Sequence, residues 1–241
     1  MKTVLVAGAT GGVGEGVLRA LLANDAVRVI ATSRTTERLD ELVQQLDPQL
    51  RTNLTRLAGD AGSFAGALEL AARAEALGGI DAAVAILGRG WWTSGKLLDL
   101  APEEWAAVLD EMLTSHFAFA RAMIPLLATR PGSLYLSIGG GAAFAPMRDA
   151  GLMSIAAAAQ LMLVRVLARE LGAGPPRVCE LVIDGAVNTR ASEAFAQPGW
   201  IRAGDVGGVV ADLVLAGVTS WKPLRSEGPV VIMGERRLRP D

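Results

Sequence analysis

Val4-Leu5-Val6-Ala7-Gly8-Ala9-Thr10-Gly11-Gly12-Val13-Gly14 is the stretch that decides the fold class. Its four apolar residues, bounded by Gly8, read as a buried strand. Glu15 to Ala23 follows as a helix, with Val17, Leu18, Leu21 and Leu22 on one face. Glycines between a strand and a helix let the backbone turn tightly and come close to an anion. The helix start then offers free N–H groups and the positive end of its dipole. The pattern predicts a pyrophosphate cradle whose contacts are Gly8, Thr10, Gly11, Gly12, Val13 and Gly14. The alternative is a glycine-rich turn that holds nothing.

The rest of the chain supports the cradle. Val27 to Ala31, Thr55 to Ala58, Ile80 to Leu87, Ser133 to Ile138, Val178 to Ile183 and Pro229 to Met233 read as further strands. Helical runs lie between them: Glu37 to Leu46, Phe64 to Leu77, Pro102 to about Leu127 with a bend at Pro125, Met153 to Leu171, and Val206 to Leu215. Strict alternation predicts an α/β class: one Rossmann domain over residues 1–241, a doubly wound parallel sheet of about seven strands, helices on both faces. The least regular stretch, Arg190 to Gly204, is the expected substrate-side lid.

Composition narrows the function. The chain has 241 residues, 51% of them hydrophobic, and a net charge of -2, which suits one sizeable core and gives no electrostatic footprint for nucleic acid. A single Cys (Cys179) and a single His (His116) exclude an internal disulfide and metal sites built from several Cys or His. The most apolar stretch, Ile155 to Val166, is broken by Gln160 and Arg165, so no membrane partner is expected and a cytoplasmic location is the default.

Taken together, these motifs resemble the short-chain dehydrogenase/reductase family over nearly the whole chain. Gly8, Gly12 and Gly14 fit its GxxxGxG spacing, and Leu167-Ala168-Arg169-Glu170-Leu171 is similar to the end of its fifth helix. Gly185-Ala186-Val187-Asn188-Thr189 resembles its PGxVxT segment, with Asp184 in place of Pro. The resemblance implies a nicotinamide cofactor, with Asp60 and Ala61 near the adenine, Gly88 in the segment after the fourth strand, and Thr189 at the carboxamide. An NAD-preferring site puts an acid at the end of the second strand. Here Ser33 takes that place and Arg34 the next, so a 2′-phosphate can be paired and nothing repels it. NADP(H) is therefore expected over NAD(H); the alternative for Arg34 is a solvated surface charge.

The same resemblance exposes a loss. The family protonates its substrate from a Tyr with a Lys four residues on, helped by a Ser and an Asn. The only Tyr here is Tyr135, and Gly139 stands four residues later. The Tyr and Lys positions fall on Met153 and Ala157, the Ser position within Gly139-Gly140-Gly141, and the Asn position on Met112. The catalytic residues are therefore unknown, and the pocket should suit a small hydrophobic molecule. Asp149, beside Arg148, is a weak candidate for a displaced acid, against the reading of a loop ion pair. Arg89, Trp91, Trp92 and Lys96 follow the fourth strand and could line a ligand site or an interface. Ser137 and Ser154 lack an activating base in the sequence; His116 reads as a satisfied helix residue and Cys179 as a small core residue. Three functions stay open: non-standard chemistry on a hydrophobic ligand, a redox-silent cofactor sensor or partner subunit, and a reductase with a displaced acid. The resemblance implies assembly through the family's fourth and fifth helices, and the Ala/Met/Leu-rich Ile155 to Leu167 suits such contact, in a homo-oligomer or with an active homologue.

Overall fold

Continuous apolar runs form strands buried on both faces, because a parallel sheet is covered by helices on each side. The computed structural model describes residues 1–90, 93–215, 224–227 and 230–234. The strands are β1 (Lys2–Ala7), β2 (Val27–Ser33), β3 (Leu54–Ala58), β4 (Ala82–Ala85), β5 (Leu134–Gly140), β6 (Arg177–Ile183), β7 (Val187–Asn188), β8 (Ile201–Arg202), β9 (Leu224–Glu227) and β10 (Val230–Met233). The helices are α1 (Gly12–Leu22), α2 (Thr36–Gln44), α3 (Phe64–Ala76), α4 (Pro102–Leu109), α5 (Ser115–Ala128), α6 (Gly151–Leu171) and α7 (Ala203–Leu215).

The main sheet runs β3-β2-β1-β4-β5-β6-β10-β9. Its first seven strands are parallel; β9 adds an antiparallel edge against β10. The expectation of about seven parallel strands holds, and β9 was not foreseen because Leu-Arg-Ser-Glu carries no apolar run. Alternate residues of β1 feed two cores. Val4 and Val6 join α1, α2 and α7 through Leu18, Leu21, Leu39, Val206 and Val210. Leu5 and Ala7 join α3, α5 and α6 through Leu70, Phe119, Met123 and Val164. Deleting one such side chain to alanine typically costs 2–5 kcal/mol.

Two expectations need correction. The helix foreseen from Pro102 to Leu127 is interrupted at Asp110–Thr114, where five residues form a π-helical turn between α4 and α5. Pro125 is accommodated inside α5 instead. Such wide turns concentrate at functional sites, because the extra residue re-aims the side chains beside it. Secondly, α6 is long and apolar enough to cross a membrane by length and composition. One face packs into the core, with Leu152, Met153, Ala156, Ala157, Gln160, Leu161 and Val164 buried, while Ile155, Met162 and Val166 stay exposed. Gln160 does not interrupt a surface face; it turns inward to other polar groups. The irregular Arg190 to Gly204 stretch holds a short 3₁₀ turn at Glu193–Phe195 and a two-stranded ribbon in which β7 pairs with β8.

Candidate functional site

In an open parallel sheet the ligand crevice lies at the carboxyl ends of the strands, where the chain order reverses. Here that point falls between β1 and β4, which pair although β2 follows β1 on its other side. Gly8 has φ +79, and a Cβ there would sit 2.0 Å from the Ile86 carbonyl oxygen. A Cβ on Gly14 would sit 2.0 Å from the Gly8 oxygen, and one on Gly12 2.7 Å from Thr189. The loop closes on itself by Gly11 N–H donating to Gly8 O at 3.1 Å, and α1 begins with Glu15 N–H donating to Gly11 O at 2.8 Å. The N–H groups of Gly12, Val13 and Gly14 belong to the first turn and have no partner inside the helix. This is the donor set a pyrophosphate takes.

The other cofactor candidates gather around this loop. Thr10 Oγ1 donates to Ser33 Oγ at 3.3 Å, tying the glycine turn to the end of β2. Ser33 is buried and Arg34 exposed, with no ion-pair partner among the described residues. Asp60 is exposed and its Oδ1 accepts from Gly62 N–H at 3.0 Å, while Ala61 is buried beside it. Thr189 N–H donates to Ser192 Oγ at 2.8 Å. A cleft of about 120 Å³ opens on the α2 side of the glycine turn, lined by Thr10, Arg38, Glu41, Leu42, Gln45 and Arg190. Arg190 reaches over it to Gln45 and to Glu15 at 3.4 Å. Arg38 and Arg190 bring two positive charges to this cleft that the strand-end reading does not reach.

The residues expected at the family's catalytic positions carry small or apolar side chains. Gly88, with φ +94, lies against Met112: a Cβ on it would be 3.3 Å from Met112 Cγ. Met153 and Ala157 are buried and four residues apart on α6. Gly139 and Gly141 face acids that arrive from the next strand. A Cβ on Gly139 would lie 2.0 Å from Glu180 Oε1, and one on Gly141 2.2 Å from Asp184 Oδ1. The weaker candidates are ordinary. Asp149 is half exposed beside Arg148 at 3.5 Å, and its φ of +58 suits an Asp in a tight loop. Its carbonyl accepts from Ser94 and Gly95 N–H at 2.8 and 3.1 Å. Arg89 pairs with Glu111, Lys96 is exposed, and Trp91 and Trp92 lie outside the described residues. Ser154 Oγ accepts from Met147 N–H at 3.1 Å.

A buried polar row runs beneath these positions. His116 Nε2 donates to Leu87 O at 3.2 Å, and its Nδ1 accepts from Ser137 Oγ at 3.2 Å. Gln160 Nε2 donates to Ser137 Oγ at 2.9 Å, Ile138 O at 3.1 Å and Glu180 Oε1 at 3.4 Å. Desolvation lowers His116 from 6.5 to about 4, so it is a neutral, satisfied imidazole and a poor base for Ser137. Burial, with the nearby Glu180 second, pushes the Tyr135 phenol above its ordinary value; the ring is 1% exposed and packs on Phe119. Burial likewise raises Cys179 to about 11, which fits an inert core thiol. Desolvation raises Glu180 from 4.5 to about 8, opposed by Arg165. Gln160 and Glu180 escaped the sequence reading; the available signal was a lone carboxylate inside the apolar run Val178 to Ile183.

These two buried groups set a pH profile. Glu180 binds its proton more tightly folded, so its contribution is full below about 4.5 and is lost as pH rises through about 8. His116 binds its proton less tightly folded, so its contribution is full above 6.5 and is lost as pH falls toward about 4. Between 4.5 and 6.5 the two slopes oppose each other. Denaturant titrations should therefore show a plateau there and a loss of roughly 2 kcal/mol between pH 6.5 and 8. Glu180→Gln should flatten that alkaline fall; an unchanged fall would show that another group causes it.

The fold and glycine loop define a dinucleotide-binding protein of the nicotinamide oxidoreductase type. A family model described as enoyl-(acyl carrier protein) reductase matches residues 8–206. Dehydrogenase/reductase SDR family member 4 from Oryctolagus cuniculus is 29% identical over 195 residues, covering 80% of this chain and 74% of the relative. Its counterpart from Bos taurus is 28% identical over 178 residues, covering 73% and 63%. An alcohol dehydrogenase from the archaeon Thermococcus sibiricus, complexed with 5-hydroxy-NADP, matches in structure with a TM-score of 0.79 at 22% identity, covering 100% of this chain and 99% of the other. The chain belongs to the short-chain dehydrogenase/reductase family.

Proposed function

We propose that this protein binds NADP(H) and does not use the family's Tyr/Lys proton-transfer mechanism. The observation that carries the cofactor choice is the end of β2: buried Ser33 followed by exposed Arg34, with no carboxylate at either place. The relative crystallised with 5-hydroxy-NADP supports the same choice by analogy. When bound, the cofactor would supply a hydride. The chain's own residues would hold it: Gly12, Val13 and Gly14 N–H on the pyrophosphate, Arg34 on the 2′-phosphate, Asp60 and Ala61 at the adenine, and Gly88 and Thr189 at the nicotinamide end. Met112, Met153 and Ala157 line the place of the lost groups with apolar surface, which favours a small hydrophobic ligand.

Titration calorimetry with the two reduced cofactors tests this reading. NADPH should bind about 10- to 100-fold tighter than NADH, the span of one or two charge-assisted hydrogen bonds. Arg34→Ala should remove most of that ratio. Equal affinities in the wild type, or no binding, would overturn the proposal.

A redox-silent sensor or partner subunit is the second reading, favoured by the absence of a titrating side chain at Met153 and Ala157. Assembly belongs to it. Ile155, Met162 and Val166 lie along α6 with exposures of 37%, 55% and 43%, an apolar strip fit for a second copy or an active homologue. Sedimentation velocity should show a dimer or larger species, reduced by Met162→Glu; a monomer at micromolar concentration would exclude self-association. The cytoplasm, one domain over residues 1–241, and closure of residues 190–204 over a ligand remain part of the proposal.

A further inference from the structure

Val178-Cys179-Glu180-Leu181-Val182-Ile183 places one carboxylate in the middle of an apolar strand. Glu180 has no exposed surface. In parallel register it lies beside Ser137 of β5, and its side chain leans toward the carboxyl end of that strand, under Gly139. Its Oε1 stands where the Cβ of a residue at 139 would be, so Gly139 is the residue that admits it. Gln160, one turn beyond Ala157 on the same helix, holds that oxygen by donating to it at 3.4 Å. Its Oε2 is buried with no hydrogen-bond partner among the described residues. An ionised carboxylate so placed is costly unless a positive charge comes near. The carboxyl thus occupies the volume of the missing side chain under Gly139, one strand from the carboxyl end of β4 and near that of β5.

We propose that Glu180 links a proton to the charge of the bound cofactor, staying neutral with the uncharged reduced ring and giving up its proton when the oxidised, cationic ring occupies the crevice. The inference rests on the NADP(H) reading above. No bond of the cofactor changes: the Glu180 O–H bond breaks heterolytically and its proton passes to solvent. Other titratable or charged groups near the carboxyl are Arg165 from α6, Tyr135 from β5 and Cys179 of β6, with His116 from α5 linked to it through Ser137 and Gln160. All of them are retained in Glu180→Gln, which replaces the titratable carboxyl with an amide of the same shape. One added charge, weakly screened by a protein interior, is worth about tenfold in affinity. By linkage, the protein prefers oxidised over reduced cofactor increasingly as pH rises.

Calorimetry at pH 7.5 in buffers of different ionisation enthalpy counts protons released on binding. Both cofactors carry the same 2′-phosphate, so its own protonation cancels in the difference between them. The wild type should release roughly half a proton more with NADP⁺ than with NADPH. Between pH 6 and 9 its affinity ratio for the two should shift by about tenfold. Glu180→Gln should show neither effect while binding both cofactors. Equal proton release from the wild type, or the same difference in Glu180→Gln, would overturn the assignment. Failure of both cofactors to bind the wild type would overturn the cofactor reading itself, and this inference with it. Infrared spectra at pH 7.5 provide a check that needs no variant: the carbonyl stretch of a neutral buried carboxylic acid should lose roughly half or more of its intensity with NADP⁺ and keep it with NADPH. Undiminished intensity with both would also overturn the assignment.

Discussion

Gly8→Ala should lower the unfolding temperature by roughly 6–12 °C and abolish the proposed NADPH binding. The left-handed backbone at Gly8, φ +79, costs an alanine about 1–2 kcal/mol. Its Cβ would also fall 2.0 Å from Ile86 O, and that atom cannot rotate away because it is main chain. Ile86 N–H is bound to Ala7 O at 3.0 Å, so relief requires β1 and β4 to part at the crevice. Together these effects come to roughly 3 kcal/mol, at about 2–4 °C per kcal/mol for a chain of this size. Gly11→Ala is the control. A Cβ there is 3.4 Å from Gly8 O, an ordinary contact, so its melting curve should barely move. Differential scanning calorimetry compares the two. Equal, small shifts would show that the turn relaxes freely.

The second large effect concerns turnover. With NADPH and a panel of aldehydes and ketones, the wild-type rate should fall about 10²- to 10⁴-fold below a median enzyme's roughly 10 per second. A positioned general acid is worth that factor, and none of the family's positions supplies one. Met153 and Ala157 do not titrate. Tyr135 is walled into the core with its phenol driven away from neutrality. Asp149 is half exposed and paired with Arg148. Spectrophotometric loss of NADPH measures the rate. Turnover within about tenfold of the median would show that another group protonates the product. Asp149→Asn would then decide whether that group is Asp149: a lost rate implicates it, an unchanged rate removes it.

Much of the fold was legible because its signals are local. The β1 run, the glycine turn and the first face of α1 lie within 22 residues. The parallel strands of the main sheet announced themselves by their own apolar runs, whereas α4 and α5 read as one helix and the short β7, β8 and β9 carry no run of their own. The absent Tyr/Lys pair was equally readable, since a residue that is missing from the chain is missing from every fold it could adopt. Arg34 at the end of β2 followed from counting within one strand.

The rest depended on contacts between distant segments. Gly16 and Gly207 look incidental in the sequence. In the fold a Cβ on either would lie 2.3 Å from a main-chain oxygen, of Ala203 or of Gly16, so they set how closely α1 and α7 cross. The π-helical turn at Asp110–Thr114 was hidden by a helical pattern that continues on both sides. His116 and Ser137 are 21 residues apart, and Gln160 and Glu180 20 apart. Nothing in either neighbourhood foretells their row.

The sequence by itself determined the doubly wound sheet, the glycine turn between β1 and α1 and the absence of any Tyr-x-x-x-Lys pair, because periodicity, glycine spacing and residue identity are properties of the chain. Only the tertiary structure decided what fills the vacancy. Register between β5 and β6 brings Glu180 beneath Gly139, and burial there gives a carboxyl the one property a sequence does not encode, its affinity for a proton.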